Sequence, residues 1–362
     1  MPDTTPLNLL HALTEHQGYE TAVYCTYGVD LAFFEEAVLR PLRNNRCRRH
    51  IIFADSQRYA DTIGQWRDCA QFVGQQYLLV PVQLPPFQAF HPKLTLLLGP
   101  QRGRLLLGSG NLTFTGFGHN HELYTCLDWT PDQPDTLSLF QAVWQFIESI
   151  QGQWGHNRLV NEALRKAEYQ APWLHQPMTD APADLTFWHS LHTPLLDQLE
   201  QAVGAEPVRR LTVVTPFLDR QALAIAELNR RFQPGEIRLV LQPQQAVGDV
   251  AALTALQAQG APLALYRFDG DGRYLHAKLL LLETETAVYA LSGSANCTRP
   301  ALLATPETSG NVETALLRRA VPGDYFNYLL PPDLLPDNPI APSEITLRPP
   351  ERIEAGEGEE TA

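Results

Sequence analysis

Apolar positions fall into short runs separated by amphipathic stretches, and the same order of runs occurs twice along the chain. In the first half, residues 21–27 form a β-rich run closed by Gly28. Residues 31–42 then place Phe34, Val38 and Leu42 at helical spacing. Residues 50–54 and 77–82 predict two further strands. Residues 93–98 predict another, which Gly99-Pro100 turns into a strand over 104–107, and a helix over 134–149 follows. The second half predicts strands at 211–215, 237–241, 263–267, 278–282 and 287–291. Its helices are predicted over 221–232, stopped by Pro234-Gly235, and around 247–259.

Strands alternating with helices predict an α/β protein with sheets covered on both faces. The expected layout is two pseudo-symmetric repeats, 1–150 and 205–330, each a mainly mixed β-sheet flanked by helices, the two packed face to face. Residues 151–204, with Trp154, Trp173 and Trp188, predict a helical connector packed on the repeats. Residues 331–362 are Pro-rich and then acidic, and from Ser343 onward a poorly ordered tail is expected. Trp66, Trp129 and Trp144 are expected in the core or at its edge rather than as base-stacking platforms.

Length and composition narrow the class. The 362 residues, 44% hydrophobic and 19% charged, suit two soluble globular domains. The start, Met1 to Pro6, is polar and acidic and does not resemble a signal peptide. The longest apolar runs, 94–98 and 279–282, are strand-sized rather than membrane-spanning. Cys25, Cys47, Cys69, Cys126 and Cys297 include no C-x-x-C pair, which predicts buried thiols in a reducing, cytoplasmic setting. The net charge of −13 weighs against nucleic-acid binding. Local arginines weigh for it, although on their own they read as a solvated helix face: Arg40, Arg43, Arg46, Arg48 and Arg49, then Arg209-Arg210, Arg220 and Arg230-Arg231. Acidic residues between Glu351 and Glu360 account for part of the negative total.

Chemistry enters through a long-period duplication. His91-x-Lys93 and Gly108-Ser109-x-Asn111 recur as His276-x-Lys278 and Gly293-Ser294-x-Asn296, each residue displaced by 185. Asn120-x-Glu122 recurs as Asn311-x-Glu313 with a displacement of 191, so the second copy carries six extra residues before its Glu. The repeated set consists of phosphate-handling side chains. It resembles the repeat of the phospholipase D superfamily, a His-x-Lys followed by a Gly-Ser-x-Asn element. One His-x-Lys alone is a weak signal, but two at a common interval are a strong one. The phospholipase pattern has an Asp five residues after the Lys, where this chain has Leu98 and Glu283. That departure and the longer motif turn resemble the nuclease and tyrosyl-DNA phosphodiesterase branches, which often place a Glu after the Asn.

Phosphodiester cleavage needs a nucleophile, a proton for the leaving oxygen, and positive charge on the phosphoryl oxygens. Two imidazoles at one phosphate supply the first two, if their surroundings separate their pKa values. Lys93, Lys278, Asn111 and Asn296 would hold the non-bridging oxygens. Ser109 and Ser294 would either donate to the phosphate or fix their turns. Glu122 and Glu313 would each accept Nδ1–H from a His and so set its tautomer. The resemblance assigns His91 as nucleophile, through a phosphohistidine, and His276 as acid. In His-x-Lys, residues i and i+2 share one face of a strand, leaving Pro92 and Ala277 on the packed side. Each half supplies one His and one Lys, so a shared site at the interface of the halves is expected, with no oligomer needed to complete it. The lysines take the role of a divalent ion, so no metal or cofactor is implied. His119 and His121 have no counterparts in the second copy and read as surface histidines, and Cys297 reads as packing.

The leading expectation is therefore a metal-independent nuclease or DNA-end phosphodiesterase in defence or repair, with nucleic acid as substrate, no membrane, and possible protein partners of a multi-component system. A lipid phosphodiesterase or transphosphatidylase is the first alternative. It would use the segment Leu84 to Phe90 as an apolar rim, although such a segment more often reads as a buried approach to the motif. A non-catalytic nucleic-acid-binding subunit of a larger assembly is the second.

Overall fold

The computed structural model describes residues 8–66, 70–155, 157–177, 184–322 and 338–349. Cys69 and most of the acidic tail lie outside them. The chain forms two compact units. The first comprises Met1–Leu84, Ala89–His119 and Tyr124–Phe187. The second comprises Pro85–Gln88, Asn120–Leu123 and Trp188–Ala362.

The first unit is built on a six-stranded mixed sheet. Its strands are β1 (Thr21–Thr26), β2 (Arg49–Asp55), β3 (Leu78–Val82), β4 (Leu94–Gly99), β5 (Arg102–Gly108) and β6 (Tyr124–Trp129), in the order β3-β2-β1-β4-β5-β6. β1, β2 and β3 run parallel, while β4, β5 and β6 are antiparallel to their neighbours. Every residue of β1 and β4 is buried. Such continuous apolar runs belong to strands covered on both faces. The helix Leu137–Trp154 contributes Phe140, Val143, Trp144 and Ile147 to the buried core.

The predicted helix over 31–42 is present but irregular. Asp30 caps it by accepting the Phe33 N–H at 2.9 Å, and Phe34–Leu39 widens into a π-turn before Arg40–Asn44 resumes α geometry. The wide turn carries buried Glu35, whose carboxylate accepts the Gln71 and Phe72 N–H groups and the Tyr77 hydroxyl.

The second unit contains β7 (Leu185–His189), β8 (Arg210–Val214), β9 (Glu236–Leu241), β10 (Leu263–Arg267), β11 (Leu279–Glu283), β12 (Val288–Gly293) and β13 (Thr314–Ala320). Their order is β10-β9-β8-β11-β12-β13-β7, the topology of the first sheet with one strand added at its edge. Helices Leu223–Phe232 and Val250–Ala258 contribute Ile225, Leu228 and Leu253 to its core. Both sheets are thus mixed and flanked by helices, as expected.

Two expectations need correction, and a third is refined. Residues 151–204, expected as a helical connector packed on the repeats, divide between the two units and include the strand β7. Helix Arg158–Gln170 and Trp173 belong to the first unit, where Trp173 stacks on Trp129 at 4.0 Å and donates to the Gly99 carbonyl. Helix Leu195–Val203 packs into the second core. The apolar faces that marked this stretch as packed are buried within each unit. The expected poor order from Ser343 does not hold for residues 338–349. Ile345 is buried in the second core, and the Ile340 and Arg348 N–H groups donate to the Leu265 and Ala246 carbonyls. Finally, each His-x-Lys lies just before its strand, since β4 starts at Leu94 and β11 at Leu279.

Cys25, Cys47 and Cys297 are buried and Cys126 is partly so. Burial pushes the Cys47 thiol up to about 12. Trp129 and Trp144 are core residues and Trp66 packs against the core, as expected. Among the described residues no helix is long and apolar enough to cross a membrane.

Buried His50 makes stability pH-dependent. Its Nε2–H donates to the Cys47 carbonyl at 3.0 Å and its Nδ1 accepts from the Tyr24 hydroxyl at 3.2 Å, so the folded ring is neutral. Burial lowers its pKa from 6.5 to about 4. The unfolded state therefore binds the extra proton between these values, and stability falls as pH drops through that window. Urea unfolding at pH 7.5 and 4.5 should show a loss of about 2–3 kcal/mol from this group. Replacing His50 with Gln should remove that part of the difference.

Candidate active site

The first-copy residues are set by anchors on either side of the motif. The Phe90 N–H, immediately before His91, donates to Asp55 Oδ2 at 2.9 Å. Asp55 ends β2 and also accepts the Gln57 and Arg58 N–H groups at 3.0 and 3.3 Å. Burial raises the pKa of its carboxyl, and these N–H groups pull it partway back. His91 and Lys93 are each 2% exposed. Lys93 Nζ lies 2.7 Å from His91 Nε2 and donates to the His91 carbonyl at 3.2 Å. An i, i+2 pair on one face was the reading from sequence, and these two side chains do meet.

Ser109 and Asn111 follow β5 and are buried. The turn is tied to β1, since the Leu112 N–H donates to Thr26 Oγ1 at 3.1 Å and the Asp30 N–H to the Leu112 carbonyl. Gly116 lets the chain pass this turn closely, because a Cβ there would stand 2.4 Å from the Asn111 carbonyl oxygen.

The second copy repeats these devices. The Leu275 N–H, just before His276, donates to Gln242 Oε1 at 2.7 Å, as Phe90 does to Asp55. The Cys297 N–H donates to Thr215 Oγ1, as Leu112 does to Thr26. Lys278 Nζ donates to the His276 carbonyl at 2.8 Å.

Glu122, though it follows the first motif in sequence, meets the second histidine. His276 Nδ1 lies 2.8 and 3.0 Å from its two oxygens, with both side chains about 6% exposed. An ionised carboxylate can only accept, so Nδ1 carries the proton. Asn120 Nδ2 steadies the carboxylate at 3.2 Å, and the His121 carbonyl accepts the N–H groups of His276 and Ala277. The His121 ring pairs with Asp271 at 2.8 Å, a peripheral position as expected.

Glu313 is fully buried. It accepts from Ser294 Oγ and from Asn311 Nδ2, the latter at 3.1 Å, and its N–H donates to Ser190 Oγ at 2.8 Å. Ser294 also accepts the Thr314 N–H at 3.0 Å, so this hydroxyl fixes its turn, one of the two roles open to it. Asn296 is buried nearby in sequence. Only three lysines occur in the whole chain. Two are the buried motif residues, and the third, Lys166, is an exposed partner of Glu162. Burying an ammonium is costly, which marks both motif lysines as functional candidates.

No protein-family model matches the chain. No curated protein sequence matches it either. Solved structures do. The yeast tyrosyl-DNA phosphodiesterase superposes with a TM-score of 0.58 at 13% identity, over 84% of this chain and 83% of that one. A variant of that yeast enzyme gives 0.57 at 12% identity, over 85% of each chain. A looser superposition, 0.48 at 13% identity, is with the phosphatidylserine synthase of Haemophilus influenzae Rd KW20, over 85% and 78%.

The chain has the phospholipase D fold.

Several arginines of the sequence clusters are engaged by side chains of their own unit. Arg209 pairs with Glu285, and Arg210 with Glu236 and Glu283. Arg230 pairs with Glu227, while Arg231 pairs with Glu227, Asp197 and Glu200. Arg40 pairs with Glu36, and Arg49 donates to Thr21 and Gln170. Carboxylates from adjacent elements balance much of the charge that sequence clustering implied. The expected apolar approach to the first motif is also divided, since Phe90 is buried but Phe87 is 70% exposed with φ +68°.

Four residues of interest escaped sequence reading: the anchors Asp55 and Gln242, and Tyr27 with Arg58. The Tyr27 ring stands edge-on to His91 at 5.2 Å and accepts Arg58 Nε–H on its hydroxyl at 3.0 Å. Nothing local in the sequence marks them, because each acts on a residue more than thirty positions away. Among the described residues no group of three or more His, Cys, Asp or Glu side chains could hold a metal ion.

Ser294→Ala should test the buried network. It would strip Glu313 of one donor and the Thr314 N–H of its acceptor. A loss of about 1–3 kcal/mol in unfolding free energy is expected, and an unchanged urea midpoint would contradict the network.

Proposed function

We propose that the protein is a metal-independent phosphodiesterase acting on nucleic acid through a covalent phosphohistidine. The observation that carries the reading is the unlike bonding of the two motif histidines. An ammonium has only protons to give, so His91 Nε2, 2.7 Å from Lys93 Nζ, is an acceptor and its ring is neutral. His276 instead donates Nδ1–H to Glu122, a partner that favours the imidazolium. One neutral and one charged imidazole are what nucleophile and acid require. The phospholipase D fold, matched to tyrosyl-DNA phosphodiesterase over 84% of the chain, supports both the reaction class and the choice of nucleic acid.

In this mechanism a phosphate draws Lys93 toward its non-bridging oxygens and releases the His91 Nε2 lone pair. His91 Nε2 bonds to phosphorus as the P–O bond to the leaving group breaks, and the leaving oxygen takes the Nε2 proton of His276. Neutral His276 then takes a proton from water, the water oxygen bonds to phosphorus, and the N–P bond breaks. Both imidazoles must act on the same phosphorus. Lys278, Asn111 and Asn296 join Lys93 in holding the non-bridging oxygens, with Ser109 as a further donor. Glu122 orients His276, and Glu313, secured by Ser294 and Asn311, is assigned the corresponding role for His91.

Single- and double-stranded DNA and RNA incubated with the protein in excess EDTA should be cleaved in at least one case. No cleavage of any of the four would refute the reading. His91→Ala and His276→Ala should each reduce kcat by about a thousandfold or more. With a nitrophenyl leaving group, which needs no acid, His276→Ala should accumulate protein phosphorylated on His91. The rate profile should be bell-shaped in pH.

A further inference from the structure

We propose that residues 338–349 act as a strap that positions His276. Docked on the second unit, they fix the backbone ribbon that aims this histidine as general acid. The inference rests on the phosphodiesterase reading and assigns positioning roles within it to Gln242 and Ile345.

The chain just before His276 is held by one side chain. Gln242 Oε1 accepts the Leu275 N–H at 2.7 Å, and its Nε2 donates to the Arg273 carbonyl at 2.9 Å. Gln242 follows the last residue of β9 and heads the loop 243–248, so its aim depends on how that loop is held. Gln244 in this loop takes φ +64°, a left-handed conformation that a residue other than glycine keeps only where its surroundings impose it. The strap supplies those surroundings. The Gln244 N–H donates to the Thr346 carbonyl at 2.7 Å, and the Gly248 N–H to the Arg348 carbonyl at 3.0 Å. The Arg348 N–H in turn donates to the Ala246 carbonyl at 2.9 Å. Strap and loop are in close contact, since a Cβ on Gly248 would stand 3.1 Å from Leu347 Cδ1.

The same ribbon reaches the other end of the motif. Val247 bridges Arg348 and also Phe217, while Leu218 bridges Cys297, the residue after Asn296. Short segments thus link the strap, step by step, to the turn that carries the motif asparagine.

Comparison with the first copy shows what the strap replaces. There the anchor Asp55 leads directly into the helix Ser56–Trp66, and Thr62 of that helix donates to the Val29 carbonyl at 3.2 Å. Val29 bridges Leu112 as Leu218 bridges Cys297. In the second copy no helix follows Gln242 until Val250, and the strap does the bracing instead.

The hold is local. Ile345 is the buried side chain of the strap, Ile340 and Leu347 pack against the same core, and most other strap residues are exposed. A segment docked by so few apolar groups opens without global unfolding.

The test compares the full chain with Ile345→Glu, Ile345→Val and Gln242→Leu on thymidine 5′-nitrophenyl phosphate. The first equivalent of nitrophenolate reports attack by His91, which needs no acid with this leaving group. Later turnovers add the attack of water, which needs His276. Ile345→Glu and Gln242→Leu should keep the first turnover within about twofold of wild type and slow the later ones about tenfold. Ile345→Val should stay within about twofold in both phases. Hydrogen exchange gives a readout without turnover. In Ile345→Glu, amides 273–278 should exchange about tenfold faster, with amides 94–98 unchanged. First and later turnovers falling together, or unaltered exchange at 273–278, would overturn the proposal. Should Ile345→Glu fail to fold, Arg348→Pro, which deletes the N–H bonded to Ala246, carries the same comparison. Faster exchange at 273–278 in the variant, with no turnover of the ester by wild type, would refute the phosphodiesterase reading and leave the strap's role standing.

Discussion

Each half of this protein carries a lysine ammonium into its interior, where the carbonyl of the histidine two residues earlier receives it. A buried cation of this kind has to be met by fixed acceptors, and those acceptors have to be held in turn. Much of the architecture around the motifs answers that demand. The central strands β4 and β11 begin immediately after the lysines, so the sheet's hydrogen bonds fix the following backbone. The residue before each histidine is bound by a side chain at the end of a parallel strand two places along the sheet, β2 or β9. The result is a polar cluster packed against an apolar sheet without loss of order in either.

The duplication extends deeper than the motif side chains. Thr26 and Thr215 each accept the N–H after the motif asparagine, and Asn120 and Asn311 each support the Glu two residues on. Asp30 and Asp219 both accept N–H groups at the start of a helix. The anchor before each histidine is conserved in role but not in chemistry, a carboxylate in one copy and an amide in the other. These small inequalities matter because two identical halves would offer two identical histidines. Here the first histidine lies against an ammonium and the second against a carboxylate.

How much of this was legible in the sequence follows from the range of each interaction. Strands β1, β4, β8 and β11 were readable because burial on both faces makes them continuous apolar runs. β6 and β13 were not, since Tyr124–Trp129 mixes buried and half-buried positions, and Thr314–Ala320 ends in arginines. The motif residues were readable because duplication repeats them at a fixed interval. The pairing between them was not. Glu122 reaches a histidine 154 positions away, and no local pattern indicates which of two it meets. The partners of the arginine clusters were hidden for the same reason, because clustering along the chain says nothing about the carboxylates that folding brings alongside. The tail misled because composition near its end concealed Ile340 and Ile345, two apolar residues enough to pin residues 338–349 to the second core.

The scarcity of lysine has a practical consequence. With arginine carrying nearly all of the basic charge, the protein has almost no primary amines outside its two motifs. Reagents selective for amines, isotopic methyl tags among them, would give spectra of three side chains, two of them in the duplicated motifs and one, Lys166, as an internal reference on the surface. Few proteins of this size would let a bulk labelling experiment report so directly on two chosen positions.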